Sequence, residues 1–384
     1  MNPIFAGLMN EAAQLTRGGR LAEATEAIQR ALRGGAEPQA PSPSTPPLPS
    51  TAVRTPKNAG DVIDIEAREV EPAHAPPPPA AQPGRAEQPE QTEQAAQAEQ
   101  WTRGSFTHQG RSIDYMLFVP ATLAGRPAAP RPLVVMLHGC TQSAADFAAG
   151  TRMNDHARDS GAIVLYPEQA QHAHGQKCWN WFKTQHQQRG RGEPALLAAL
   201  TQHVVAQQQA DPARVYVAGL SAGGAMADVL GHCYADLYAA VGVHSGLPHG
   251  AAHDMMSALN AMRTGAPAVR PDTTTGAAAL RPTIVFHGDA DTTVHANNGI
   301  AVLAGAAPGE ASEGRSPAGK RFTRTLYPAS AGRGEAEHWR LHAAGHAWSG
   351  GSAQGSYTQP DGVDASREML RFFLAHRLDA AARQ

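Results

Sequence analysis

Cysteine is scarce, with 3 in 384 residues, so the chain is no disulfide scaffold and its thiols cannot all pair with one another. The N-terminus MNPIFAGLMNEAAQ lacks the basic, apolar and small-residue succession of a secretory leader, because Glu11 interrupts it. Few cysteines and no leader together point to reducing, cytoplasmic surroundings. The sequence leaves a Cys178–Cys233 bridge open. Charge is thin at 17% and the net charge is -2, which excludes the basic surface that nucleic acid demands. No apolar run is long enough to cross a bilayer. The 18 histidines include no H-E-x-x-H or comparable ligand spacing, so neither a metal nor another cofactor is expected.

What is present is unevenly placed. Residues 3–33 read as two short amphipathic helices broken at Gly18-Gly19, similar to a single tetratricopeptide-type pair. One such pair cannot cover its own apolar face, so residues 1–35 form an arm, either partly folded alone or docked on a partner or a polymer granule. Residues 36–100 are a Pro-, Ala-, Gln- and Glu-rich linker, too poor in apolar groups to offset its conformational entropy. Its one less polar island is 61–70, DVIDIEAREV.

From Trp101 to the end the composition is that of a folded domain, 101–384. Strands are expected at 112–120, 132–139, 162–168, 214–218, 239–246, 282–291, 321–328 and 338–346. Helices are expected at 146–160, 195–208, after Ala225, and at 365–377. The alternation predicts an α/β fold, a mostly parallel sheet with helices on both faces. Segments 247–281 and 303–319 read as loop-rich insertions.

The chemistry starts at RVYVAGLSAGGAM, 214–226. A β-forming run enters Gly219-Leu220-Ser221-Ala222-Gly223 and a helix follows, the context in which a G-x-S-x-G turn exposes its serine hydroxyl. A serine needs a base to take its proton and a buried carboxylate to orient that base. Downstream, PTIVFHGDADTTV is a strand ending in a turn that carries Asp289 and Asp291. Asp291 is taken as the acid and Asp289 is its competitor. The base is His346 in LHAAGHAWSGG, a glycine-rich loop late in the chain. His338 and His342 read as strand-internal, and His244 as a hydrogen-bonded structural residue. An oxyanion needs two donors: the N–H of Ala222 after the serine, and that of Cys140 in LHGCTQ. The Cys140 thiol is then incidental, and the serine turn is a better-formed nucleophile site than the cysteine.

In order and spacing, LHGCTQ, CWNWF, QRGRGE, RVYVAGLSAGGAM, HGDADTTV and GHAWSGG resemble the polyhydroxybutyrate depolymerase family of serine esterases, whose near relatives include feruloyl and acetylxylan esterases. The resemblance runs over about residues 105–378. It implies an α/β-hydrolase fold and a Ser221-Asp291-His346 triad, with Asp291 rather than Asp289 by motif spacing. It also implies oxyanion donors at Cys140 and Ala222, and ester substrates: hydroxyalkanoate chains, short esters, or plant polysaccharide esters. The chain departs from secreted members, which usually carry a leader and often a separate polymer-binding domain.

Trp179, Trp181 and Trp348 stand in loops tied to these motifs. Their aromatic faces suit a hydrophobic substrate groove, with packing of the loops as the alternative. Asn180 and Gln187-Gln188-Arg189 are further candidates for substrate hydrogen bonds. A non-catalytic binding module would lack a triad member, and a prolyl-oligopeptidase-like enzyme would need an additional lid or propeller domain.

Overall fold

The computed structural model describes residues 98–122, 129–266, 280–307, 309–330 and 332–379. The chain divides into two units, Met1–Arg85 and Ala86–Gln384, and the described residues belong to the second. The expected arm, the island at 61–70 and all but the last three residues of the linker lie outside the described residues.

A ten-stranded sheet forms the second unit, in the order β1-β2-β4-β3-β5-β6-β7-β10-β9-β8. Its centre is parallel: β4 (Ile163–Glu168), β3 (Leu133–Leu137), β5 (Val215–Leu220), β6 (Ala240–His244), β7 (Thr283–Gly288) and β10 (Ala336–Leu341). Antiparallel pairs extend it at both edges, β1 (Gln100–His108) with β2 (Arg111–Val119), and β9 (Arg321–Tyr327) with β8 (Glu310–Arg315).

The parallel strands are continuous apolar runs because both faces are covered. Along β3, Leu133, Val135 and Leu137 face one core while Val134 and Met136 face the other. The first core receives Leu196, Leu197, Leu200 and Val204 of α3 (Gly192–Gln207) and Met226, Val229 and Leu230 of α4 (Ala222–Cys233). The second receives Phe147 of α1 (Ala144–Thr151), Ala157 of α2 (Met153–Ser160), and Met369 and Phe373 of α7 (Ala365–Leu374). Phe373 stacks on Tyr216 with centroids 5.1 Å apart.

Three expectations change. The single helix at 146–160 is two, because Arg152 adopts a left-handed φ of 57° and ends α1 before α2 begins. The supposed loop at 303–319 contains β8, and residues 100–108 form β1. Both are exposed outer strands with no buried alternation, and their partner ladders hold them. The insertion at 247–281 contains α5 (Met255–Thr264), started by a capping box in which Asp254 accepts from the Ser257 N–H. Between β7 and β8 lies α6 (Asn297–Val302).

Candidate active site

The carboxyl ends of adjacent parallel strands are where an open α/β sheet builds a site. Ser221 follows β5, and Asp291 and His346 lie in the loops after β7 and β10. Successive backbone bonds join these ends: Ser221 N to His244 O at 2.9 Å, Ser245 N to Phe286 O at 2.8 Å, and Asp289 N to Leu341 O at 3.0 Å.

Ser221 has φ 59° and ψ -120°, a region L-residues avoid, and it stands directly between β5 and α4. The strain is tolerated because the glycines around it allow close packing. A Cβ on Gly219 would strike the Gly223 backbone, and one on Gly223 would strike the Leu137 carbonyl. The same closeness brings the end of β3 against the start of α4. Ala222 is the first residue of α4, so helix geometry provides its N–H with no intrahelical acceptor.

Cys140 lies in the turn after β3. That turn is held by Gly139 N donating to Gln142 Oε1 at 2.8 Å, and by Thr141 N donating to Gln176 O at 2.7 Å. The Cys140 sulfur is bonded to Cys178, with Cα atoms 4.2 Å apart, and Cys233 is the free cysteine. The thiol read as incidental is therefore a crosslink, and the open question of a Cys178–Cys233 bridge is answered by the other pairing. A low cysteine count fits reducing surroundings only while the thiols are free; a Cys140–Cys178 bond removes that argument.

Behind Cys178, the buried carboxylate of Glu193 on α3 gathers the loop. It accepts from Asn180 N at 2.7 Å, Asn180 Nδ2 at 2.6 Å and Gln169 Nε2 at 2.7 Å. Burial opposes ionisation of Glu193, but its bonds to His186 and Asn180 outweigh that and hold its pKa below the usual range.

The Asp291 carboxylate is saturated with donors. Oδ1 accepts Thr293 N and Val294 N, each at 2.9 Å, and Oδ2 accepts His346 Nδ1–H at 2.7 Å. Burial alone would raise its pKa, yet the His346 bond and charge and the Val294 N–H bring it below the ordinary value. An imidazole that donates from Nδ1 has Nε2 left as a base. The His346 side chain keeps 12% exposure while that of Asp291 has 0%. The turn at Ala344 packs directly on Gly288, which fixes the pair. Asp289 makes a separate pair, accepting from His342 Nδ1 at 2.8 Å and from Ala343 N at 2.7 Å.

Two histidines that sequence reading set aside or passed over buttress this centre. His244 is fully buried between Phe286 and Trp348, and its Nε2 accepts Ser349 N at 3.0 Å. Burial, reinforced by His287 and His346 nearby, lowers its pKa to about 3, so it is neutral. His287 lies against Asp291, Nε2 to Oδ2 3.5 Å, and bonds to Val294 O at 2.8 Å. The sequence signal for both was position alone, at or next to the last residue of a central strand.

The tryptophans do not line a groove. Trp179, Trp181 and Trp348 are 0%, 6% and 1% exposed. The indole N–H groups of Trp179 and Trp348 go to His138 O at 3.0 Å and Ser366 Oγ at 3.1 Å. Aromatic bulk in loops that wrap the strand ends is most stable buried, so these rings fill the two cores instead. Asn180 gives its backbone N–H and its Nδ2 to Glu193. Gln187 is committed to Ala252 O and Gly250 N, and Arg189 to both oxygens of Asp236. Among the described residues no cluster of metal-ligating side chains occurs and no helix is long and apolar enough to cross a membrane.

The chain is 37% identical over 182 residues to poly(3-hydroxyalkanoate) depolymerase C of Paucimonas lemoignei, covering 44% of this chain and 43% of that protein. It is 32% identical over 148 residues to feruloyl esterase B of Thermothelomyces thermophilus, covering 38% and 48%. The chain thus spans less than half the length of these curated relatives. Acetyl xylan esterase from Aspergillus awamori superposes with a TM-score of 0.55 at 19% identity, over 71% of this chain and 98% of that one, which shows the α/β-hydrolase fold. The family model described as Esterase PHB depolymerase matches residues 113–305, half of the chain. By that match the chain belongs to the PHB depolymerase family of esterases.

Proposed function

We propose that this protein is a serine esterase that hydrolyses carboxylic esters through an acyl-enzyme. The observation that carries the reading is the Asp291–His346 pair, 2.7 Å apart and with the carboxylate fully buried, on the same sheet edge as the strained Ser221 turn. In this reaction His346 Nε2 takes the Ser221 hydroxyl proton as Oγ attacks the ester carbonyl. Asp291 holds the Nδ1 tautomer and stabilises the imidazolium. The N–H groups of Ala222 and Cys140 receive the oxyanion, and His346 returns the proton to the departing alcohol. Water then repeats the sequence on the acyl-Ser221 ester.

The substrates proposed are hydroxyalkanoate oligomers and polymers or short-chain esters, in keeping with the relative named a poly(3-hydroxyalkanoate) depolymerase. Feruloyl and acetylxylan esters are the second reading, favoured by relatives named for those activities. Purified protein with Ser221→Ala is expected to lose at least ~10³-fold in kcat on p-nitrophenyl acetate while keeping its melting temperature. Turnover within tenfold of wild type in a folded Ser221→Ala protein overturns the serine mechanism. Hydroxybutyrate trimer, acetylated xylan and methyl ferulate, run side by side, separate the two substrate readings.

A further inference from the structure

Tyr357 is an exposed aromatic side chain between the two loops that bear the reacting groups. The residue is 49% exposed and its backbone is left-handed, φ 53°. Its carbonyl accepts the N–H of Trp348, two residues beyond His346, at 2.7 Å. Its hydroxyl lies 3.2 Å from Oγ1 of Thr141, the residue after Cys140, and Thr141 is itself left-handed at φ 66°. Tyr357 therefore links the two loops, its backbone carbonyl on the His346 loop and its phenol on the Cys140 turn.

The placement is rigidly supported. The neighbouring Ser356 donates through N and Oγ to the two oxygens of Asp146 on α1, at 2.9 Å and 2.6 Å. Gln142, whose Oε1 holds Gly139, donates to Ser356 O at 3.1 Å and to Asp146 Oδ2 at 3.0 Å. Two non-glycine residues in a disfavoured backbone region, facing each other across 216 positions of sequence, are maintained only where surrounding contacts over-determine them.

We infer that Tyr357 is a specificity-determining residue whose ring contacts the alcohol portion of the ester and favours aromatic or bulky apolar alcohols. This rests on the serine-esterase reading above. In the tetrahedral intermediate the oxyanion points to the Cys140 and Ala222 N–H groups, and the departing oxygen points to His346, which protonates it. Tyr357 is anchored by its backbone to the loop whose histidine protonates the departing oxygen and by its phenol to the turn that receives the oxyanion, and on that anchoring its ring is assigned to the alcohol side. The acyl chain leaves from a different corner.

The test is steady-state kinetics on wild type, Tyr357→Ala and Tyr357→Phe, with acyl and alcohol varied separately: phenyl acetate, methyl acetate and phenyl butyrate. Tyr357→Ala is expected to raise KM for phenyl acetate about five- to tenfold, the worth of one aromatic contact, with kcat within about twofold. Methyl acetate parameters should stay within about twofold, and phenyl butyrate should lose by the same factor as phenyl acetate. Tyr357→Phe keeps the ring and should restore the phenyl acetate KM. An equal kcat loss on phenyl and methyl acetate would overturn the inference, since Tyr357 would then act only by supporting the oxyanion turn. A loss that grows from acetate to butyrate would place the contact on the acyl side and overturn it as well. Failure of the esterase reading is separately visible, as ester turnover by wild type that Ser221→Ala does not abolish.

Discussion

The Cys140–Cys178 bond makes a prediction in both stability and rate. Its loop closes over 38 residues, and the chain-entropy model gives about 3.9 kcal/mol at 25 °C for a loop of that length. For a folded unit of this size each kcal/mol moves Tm by ~2–4 °C, so Cys140→Ala/Cys178→Ala should melt roughly 8–15 °C below wild type. The effect on rate is smaller. The double variant keeps the backbone N–H of residue 140, and Gln142 Oε1 still anchors the turn through Gly139 N. Accordingly kcat should fall by less than the ~10²–10³-fold that follows outright removal of an oxyanion donor. Calorimetry of wild type, the double variant and dithiothreitol-treated wild type measures the first quantity, and p-nitrophenyl acetate kinetics the second. Thiol titration in denaturant should count one reactive thiol before reduction and three after. Three thiols before reduction would refute the pairing. A crosslink confirmed by titration whose loss moves Tm by under about 2 °C would refute the entropic argument.

Two further outcomes follow from the carboxylates and the buried histidines. Asp291→Asn should lower kcat about 10⁴-fold, since the amide no longer enforces the Nδ1–H tautomer of His346, while Asp289→Asn, which loosens His342, Ala343 and Arg340, should stay within tenfold. A larger loss at Asp289 would move the acid to that position. His138, His244 and His338 are buried, and burial first of all depresses their pKa values to about 4, 3 and 4. The unfolded chain protonates these groups near pH 6.5 and the native state does not, so stability is full above that pH and is lost as the pH falls, by up to ~4 kcal/mol per pH unit between about 6.5 and 4. Urea midpoints measured at pH 7, 6 and 5 should fall steadily; a midpoint that does not change across that interval counts against three neutral buried histidines.

Much of this protein was legible in its sequence because the signals were local. A β-forming run, a G-x-S-x-G turn and the start of a helix occupy thirteen consecutive residues, so their geometry is written into neighbouring side chains. The central strands declared themselves as apolar runs because both faces of each are buried. The outer strands β1 and β8 did not, since their residues are exposed and only hydrogen bonds to a neighbour make them strands. The same division holds at the site. Sequence chose Asp291 over Asp289 by resemblance alone, because two aspartates two positions apart look alike in a turn. The fold gives each its own histidine, and it is Asp291 that is fully buried against His346.

The tryptophans show what sequence could not decide. Their nearness to the motifs was correct, but nearness along the chain does not say which way a ring points, and Trp179 and Trp348 point into the two cores. The sequence by itself determined the class of fold and the strand, turn and helix around Ser221, which depend on short-range pattern. Tertiary structure alone decided the partner of Cys140, the burial of His244 and His287, and the position of Tyr357 across 216 residues from Thr141. Those are contacts between segments far apart in the chain, fixed only when the strand ends are brought to one edge of the sheet.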